Sequence, residues 1–157
     1  MITTVSLFEQ LAKEILDHYF KWSQTQDNIR PSWTNGLEID RFYPNLGVAI
    51  EFQGPQHYRL VSSMQTREKF ENQVKFDSLK RNFCLKKGVF YLPFSIFDFS
   101  EVSYLKTVEK IRSCGITFSR KSKDEITYNR LSRMLVGSFY DPSIFRRIEG
   151  IKNKYPK

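Results

Sequence analysis

A chain of 157 residues with 25 Lys and Arg against 17 Asp and Glu carries a net charge of +8 and a pI near 9.5. That length suits one domain with a small appendage, and 40% apolar with 15% aromatic residues excludes a disordered composition. No run approaches the roughly 20 apolar residues of a membrane span, and the start MITTVSLFEQ meets an acid at Glu9 with no basic leader before it.

These features predict a protein with no membrane partner. Cys84 and Cys114 lack the spacing of metal ligands, so a reduced, intracellular compartment is expected and zinc is not. The basic balance points to a polyanion, nucleic acid first.

In chain order, SLFEQLAKEILDHYF (6–20) places Phe8, Leu11, Ile15 and Tyr19 at helical spacing, with Ser6 and Glu9 as a capping-box pair. Residues 22–36 are polar and turn-rich, with a short extended piece expected near Ile29–Trp33. LEIDRFY (37–43) alternates as a strand, PNLG (44–47) turns, and VAIEFQ (48–53) returns, which makes a hairpin. A loop leads to a long helix from Thr66 to Lys87, stopped by Gly88 before the strand GVFYLPF (88–94). Residues 100–115 read as a helix ended by Gly115, with a short strand at ITF. The tail from 120 holds ten basic residues against four acids. Two short helices are expected there, parted at Asp141-Pro142. The order predicts an α/β fold, a mixed sheet flanked by helices. It divides into a core of residues 1–118 and a basic helical extension, 119–157, packed on it.

The hairpin sets Asp40 beside Glu51. Alternation puts Glu38, Asp40 and Phe42 on one strand face, and Ala49, Glu51 and Gln53 on one face of the next. Ile50 and Phe52 then turn to the core. Two carboxylates placed together repel. A divalent cation removes that conflict, and Mg²⁺ takes one or two carboxylates while keeping water and phosphate in its other positions. An ion held there can polarise a phosphodiester and activate water. An outward strand face carrying two acids with no ligand is the plain alternative.

The unit Asp40, Glu51-x-Gln53 resembles the active-site pattern of the PD-(D/E)XK nuclease superfamily. Gln53 stands at the lysine position, and Ile39 replaces the proline before Asp40. LEIDRFYPNLGVAIEFQGPQHY followed by FENQVKFDSLKRNFCLKKGVFYLPFS is similar to the branch of very-short-patch repair endonucleases and related homing endonucleases. The resemblance covers about residues 6–97. It implies a restriction-endonuclease-like sheet, Mg²⁺ (or Mn²⁺) at Asp40 and Glu51, and a site completed by Glu9, His57 and Asp77. Gln offers only dipoles to a developing oxyanion where lysine offers charge, so Gln53 is read as a residue that orients water.

The remaining candidates carry alternatives. His57 suits a general acid or base, a metal ligand, or a loop histidine bonded to backbone. Asp77, with Gln73 and Lys80, lies on a polar face of the long helix, separate from an apolar stripe of Phe76, Leu79 and Phe83. That face either points at the hairpin end or is simply solvated. Lys75 and Lys80 are candidate sources of the missing lysine charge. Lys75, Lys80 and Arg81, with Arg120, Lys121, Lys123, Arg130 and Arg133 of the tail, are expected to contact phosphates. The function expected is a metal-dependent endonuclease on double-stranded DNA, of homing or site-specific type. It would act as a dimer or tetramer, because a long site needs more surface than one such chain offers. The alternative is a nuclease-like fold that binds nucleic acid without cutting it.

Overall fold

A computed structural model describes residues 7–54, 66–95, 100–137 and 141–154. Helix α1 (Leu7–Phe20) buries Phe8, Leu11, Ala12, Ile15, Leu16, Tyr19 and Phe20 along one stripe. The 3.6-residue period of apolar positions therefore survives folding intact. Strand β1 (Gln26–Ile29) precedes a single 3₁₀ turn at Ser32–Thr34. Strands β2 (Ile39–Tyr43) and β3 (Val48–Gln53) form the hairpin. Helix α2 (Arg67–Lys87) starts at Thr66, whose side chain accepts from the Lys69 N–H at 3.2 Å. It ends at Gly88, with φ 77°, a left-handed cap that glycine adopts without steric strain. Then come β4 (Phe90–Ser95), α3 (Glu101–Lys121), α4 (Glu125–Ser132) and α5 (Pro142–Lys154).

The sheet order is β1-β2-β3-β4. The first two pairings are antiparallel, and β3–β4 is parallel, Val48 facing Phe90 through to Gln53 facing Ser95. A parallel neighbour needs a crossover, and α2 is that crossover. The fold is thus mixed α/β, a four-stranded mixed sheet with helices on both faces. Among the described residues no helix is long and apolar enough to cross a membrane.

One face of the sheet carries the main core. Val48, Ile50, Phe52 and Phe94 pack there against α1, with Tyr104, Val108 and Ile111 of α3, Leu131 of α4, and Ile144, Ile148 and Ile151 of α5. The division expected at 118/119 falls inside α3, and the apolar stripes of α4 and α5 share this one core. The other face has a smaller cluster: Ile39, Ala49, Cys84, Val89 and Tyr91, with Ile29, Trp33 and Phe42 at its margin. Every residue of β3 is buried, so its Ala49–Glu51–Gln53 face is covered rather than outward.

Three local expectations are corrected. The extended piece near Ile29–Trp33 lies earlier, at Gln26–Ile29, where Arg41 reaches across to hold Asp27 with bonds of 2.7 and 3.0 Å. Gly115 does not stop α3. It lies buried mid-helix, and a Cβ there would sit 2.8 Å from Leu131. Its missing side chain lets α4 pack close, which outweighs the roughly 1 kcal/mol that glycine costs a helix interior. The ITF segment (116–118) is accordingly helix, not strand. Of the two readings left open for the polar face of α2, Lys80 takes the one toward the hairpin. Phe76 is exposed, Leu79 and Phe83 are half-buried, and the buried side chains are Lys80 and Cys84.

Candidate active site at the carboxyl ends of two parallel strands

Glu51 and Gln53 stand on the last half of β3, beside the end of parallel β4. The carboxyl ends of parallel strands are where α/β sheets gather ligands. Asp40 enters from the neighbouring strand. Regular pairing of β2 with β3 runs from Tyr43–Val48 to Arg41–Ile50. Beyond it the Asp40 side chain takes over, its Oδ2 accepting from the Phe52 N–H at 2.9 Å. A carboxylate bonded to backbone N–H is held in one orientation, which is what a positioned site needs.

Glu51 is 1% exposed. Burial, followed by the hydrogen bond and the charge of neighbouring Asp40, pushes its carboxyl above the usual range, while Lys80 pulls the other way. A hydrogen bond between two carboxyls requires a proton between them. Lys80 comes from the middle of α2 to place its Nζ 2.7 Å from Glu51 Oε1, itself only 8% exposed. With that proton the two acids and the Lys80 ammonium balance; once it leaves, they carry a negative excess in a low-dielectric place. Such a group is expensive unless a further cation or a proton compensates it.

A hard dication fits this donor set. Asp40 and Glu51 could supply two carboxylate oxygens to such an ion, and among the described residues no group of three or more His, Cys, Asp or Glu that could hold a metal is present. Water or phosphate oxygens would fill the remaining positions, as Mg²⁺ ordinarily allows.

The other expected residues fall into two groups. Gln53 is buried on β3 two residues past Glu51. Glu9 is brought near by α1. Burial raises its pKa first, and the charges of Asp40 and Glu38 add to that, against a 3.5 Å pair with Lys13. Asp77 sits half-buried on α2, three residues before Lys80, and accepts from Gln73 Nε2 at 3.3 Å. His57 and Ser6 lie outside the described residues.

The expected phosphate contacts divide sharply. Lys80 is consumed by Glu51 rather than presented to solvent. Lys75 and Arg81 are exposed on α2, and the Arg81 guanidinium lies 5.1 Å from the Tyr91 ring. Arg120, Lys121 and Lys123 follow Phe118, whose ring lies where a Gly47 side chain would go. Gly47 precedes the start of β3, so this cluster stands at the opposite end of the strand from Gln53, about 17 Å away at 3.3 Å per residue. Arg120 stacks on Tyr128 at 5.4 Å, Arg130 stacks on Trp22 at 5.1 Å, and Arg133 is exposed on the turn after α4.

Two nearby residues escaped the sequence reading. Lys13 lies one helical turn beyond Glu9, with its ammonium 5.8 Å from the Phe52 ring. Its signal was the i,i+4 spacing from Glu9. Tyr91 faces Ala49 across the parallel ladder, and alternation along β4 could have placed it on the Glu51 face.

Comparison with known proteins supplies short viral likenesses. The chain is 40% identical over 60 residues to uncharacterized protein 033L of Invertebrate iridescent virus 3, covering 38% of this chain and 31% of that protein. It is 34% identical over 73 residues to uncharacterized protein 307L of Invertebrate iridescent virus 6, 45% of this chain and 37% of the other. It is 33% identical over 84 residues to uncharacterized protein 094L of Frog virus 3, 51% and 53% of the two chains. The aligned stretches thus span between about a third and a half of these curated relatives. No protein-family profile matches the chain, and no solved structure is significantly similar to it.

Proposed function

We propose that this chain is a metal-dependent endonuclease of the PD-(D/E)XK type, hydrolysing phosphodiester bonds in double-stranded DNA. The observation that carries the reading is the buried pair of Glu51 and Lys80, Nζ 2.7 Å from Oε1, beside half-buried Asp40. Gln53 left the sequence pattern short of a cation. Lys80 supports the reading by supplying one from the helix that covers the same strand. The restriction-endonuclease-like form of the α/β fold belongs to this proposal, and so does the site-specific or homing character.

Asp40 and Glu51 would hold Mg²⁺ or Mn²⁺, which supplies Lewis-acid charge at a phosphate and lowers the pKa of water. Lys80 keeps a positive charge against Glu51 and near the oxygen that becomes negative as the phosphate is attacked. The Gln53 amide has both a donor and an acceptor with which to orient a water. Asp40 is fixed by the Phe52 N–H, so its oxygens need little reorganisation. Exposed Lys75 and Arg81 flank the site on α2 and would take duplex phosphates, with the distant Arg120–Lys123 cluster meeting the same duplex further along. A dimer or tetramer would extend the recognised sequence.

The test uses supercoiled plasmid and a diverse pool of linear duplexes, with Mg²⁺, with Mn²⁺ and with chelator, beside Asp40→Ala. Metal-dependent nicking that Asp40→Ala abolishes is expected. Nicking that survives the substitution would sink the site assignment. Salt-sensitive binding without cleavage of any DNA in the pool points instead to a nuclease-like binding module.

A further inference from the structure

Tyr91 occupies an unusual position beside this site. In the parallel ladder it faces Ala49, so its side chain lies on the Ala49–Glu51 face, under α2. The ring packs among Ile39, Ala49, Cys84 and Val89, and the Arg81 guanidinium covers it at 5.1 Å. The residue is 9% exposed, and its hydroxyl is buried with no hydrogen-bond partner among the described residues. Leaving such a group unpaired costs about 1–3 kcal/mol. Phenylalanine would fill the same space at no such penalty. Buried polar groups are so regularly paired that an exception asks for an explanation, and a bound water or ion is one.

The charged groups that act most strongly on the phenol are Glu51 and then Asp77, after the effect of burial itself. A phenol O–H has one proton to donate, and here it meets no acceptor among the described residues. The hydrogen bonds at the neighbouring acids go elsewhere: Glu51 Oε1 accepts from Lys80, and Asp77 Oδ1 from Gln73. What the phenol lacks is an oxygen that arrives with something else.

Building on the reading of Asp40 and Glu51 as a cation site, we infer that Tyr91 is a positioning residue of that site. Its hydroxyl donates to an oxygen ligand, a water or a phosphate oxygen, that a bound divalent cation brings into the polar layer between β3, β4 and α2. The phenol orients that oxygen from the protein side, as outer-shell donors do at metal centres.

Calorimetric titration of Mn²⁺ into chelator-stripped wild type, Tyr91→Phe and Asp40→Ala tests this. One arm uses Mn²⁺ alone; a second repeats it with a short duplex present. Loss of an outer-shell partner is expected to weaken binding about tenfold in Tyr91→Phe. Weakening in the first arm identifies water as the acceptor, and weakening in the second arm alone identifies phosphate. Equal affinity of Tyr91→Phe and wild type in both arms overturns the inference and leaves the carboxylate site standing. Wild type that binds no Mn²⁺ in either arm overturns both. Thermal melts in chelator give the check that needs no metal: Tyr91→Phe is expected to melt at or above the wild-type temperature. A marked fall would mean that the hydroxyl is bonded within the protein itself, and would also overturn the inference.

Discussion

The two faces of the sheet are built on different principles. On the face under α1 and α3, Val48, Ile50 and Phe52 meet a continuous apolar core that draws on α4 and α5 as well. Phe8, Phe52 and Phe94 pack edge to face or tilted, with centroids 5.8–6.4 Å apart. On the face under α2 a small apolar cluster gives way, toward the strand ends, to Glu51, Gln53, Lys80 and the Tyr91 hydroxyl. One face holds the fold together and the other tolerates buried charge. Apolar burial stabilises at about 25 cal/mol per Å² without directional demands. A buried ion pair at best recovers the solvation it gives up. The second face is therefore affordable only because the first is large.

The comparison predicts a graded set of responses. The largest follows from Ile50→Ala, which opens a cavity in the main core and should cost about 2–5 kcal/mol in urea denaturation. A value below about 1 kcal/mol would mean that the α1 and α3 side is not the stabilising face.

Lys80→Met should show an effect that grows with pH. It keeps the apolar stem but removes the charge that holds Glu51 down. At low pH Glu51 carries a proton and loses little. Burial holds the folded Glu51 carboxyl at about 9 and losing Lys80 raises it further, so the variant falls behind wild type only as pH climbs past about 9, where a carboxylate without its ammonium costs up to about 3–5 kcal/mol. The sign for the wild type is set by the raised folded pKa of Glu51. Folding is favoured most below the ordinary carboxylate value, and this contribution is lost as pH climbs toward the folded one. Glu51→Gln should flatten that decline. Melting curves across pH check both variants, and an unchanged slope in Glu51→Gln would contradict the buried-acid account.

The smallest effect is expected on the outer side of α2. Leu85 is 76% exposed, and Leu85→Ser should change stability by no more than about 0.5 kcal/mol. A larger loss would show that this surface is covered in solution, and sedimentation of the variant beside wild type would then reveal the partner copy.

Much of the molecule was legible before folding. The periods of α1 and β3, the break at PNLG and the glycine after Lys87 report local preferences, and these hold wherever the chain goes. So does the juxtaposition of Asp40 and Glu51, because a hairpin is a short-range object whose register follows from its turn. Gly115 misled because a glycine in a sequence signals conformational freedom, whereas here its missing Cβ makes room for Leu131, a residue 16 positions away. The stripe of Phe76, Leu79 and Phe83 left the docking of α2 open. Amphipathic spacing tells which residues share a helix face, but not what that face will meet.

The sequence by itself determined the β2–β3 hairpin and β4, most helix starts, the basic balance and the acidic pair, since each depends on residues close together in the chain. Tertiary structure alone decided that α2 turns Lys80 inward onto Glu51, a contact across 29 residues. It also decided that Arg120–Lys123 stand at the far end of β3, and that the Tyr91 hydroxyl is buried without an acceptor among the described residues. Each of these turns on how a helix is rotated and docked against the sheet. That rotation is set by the whole core, in which no single stretch of chain contains the answer.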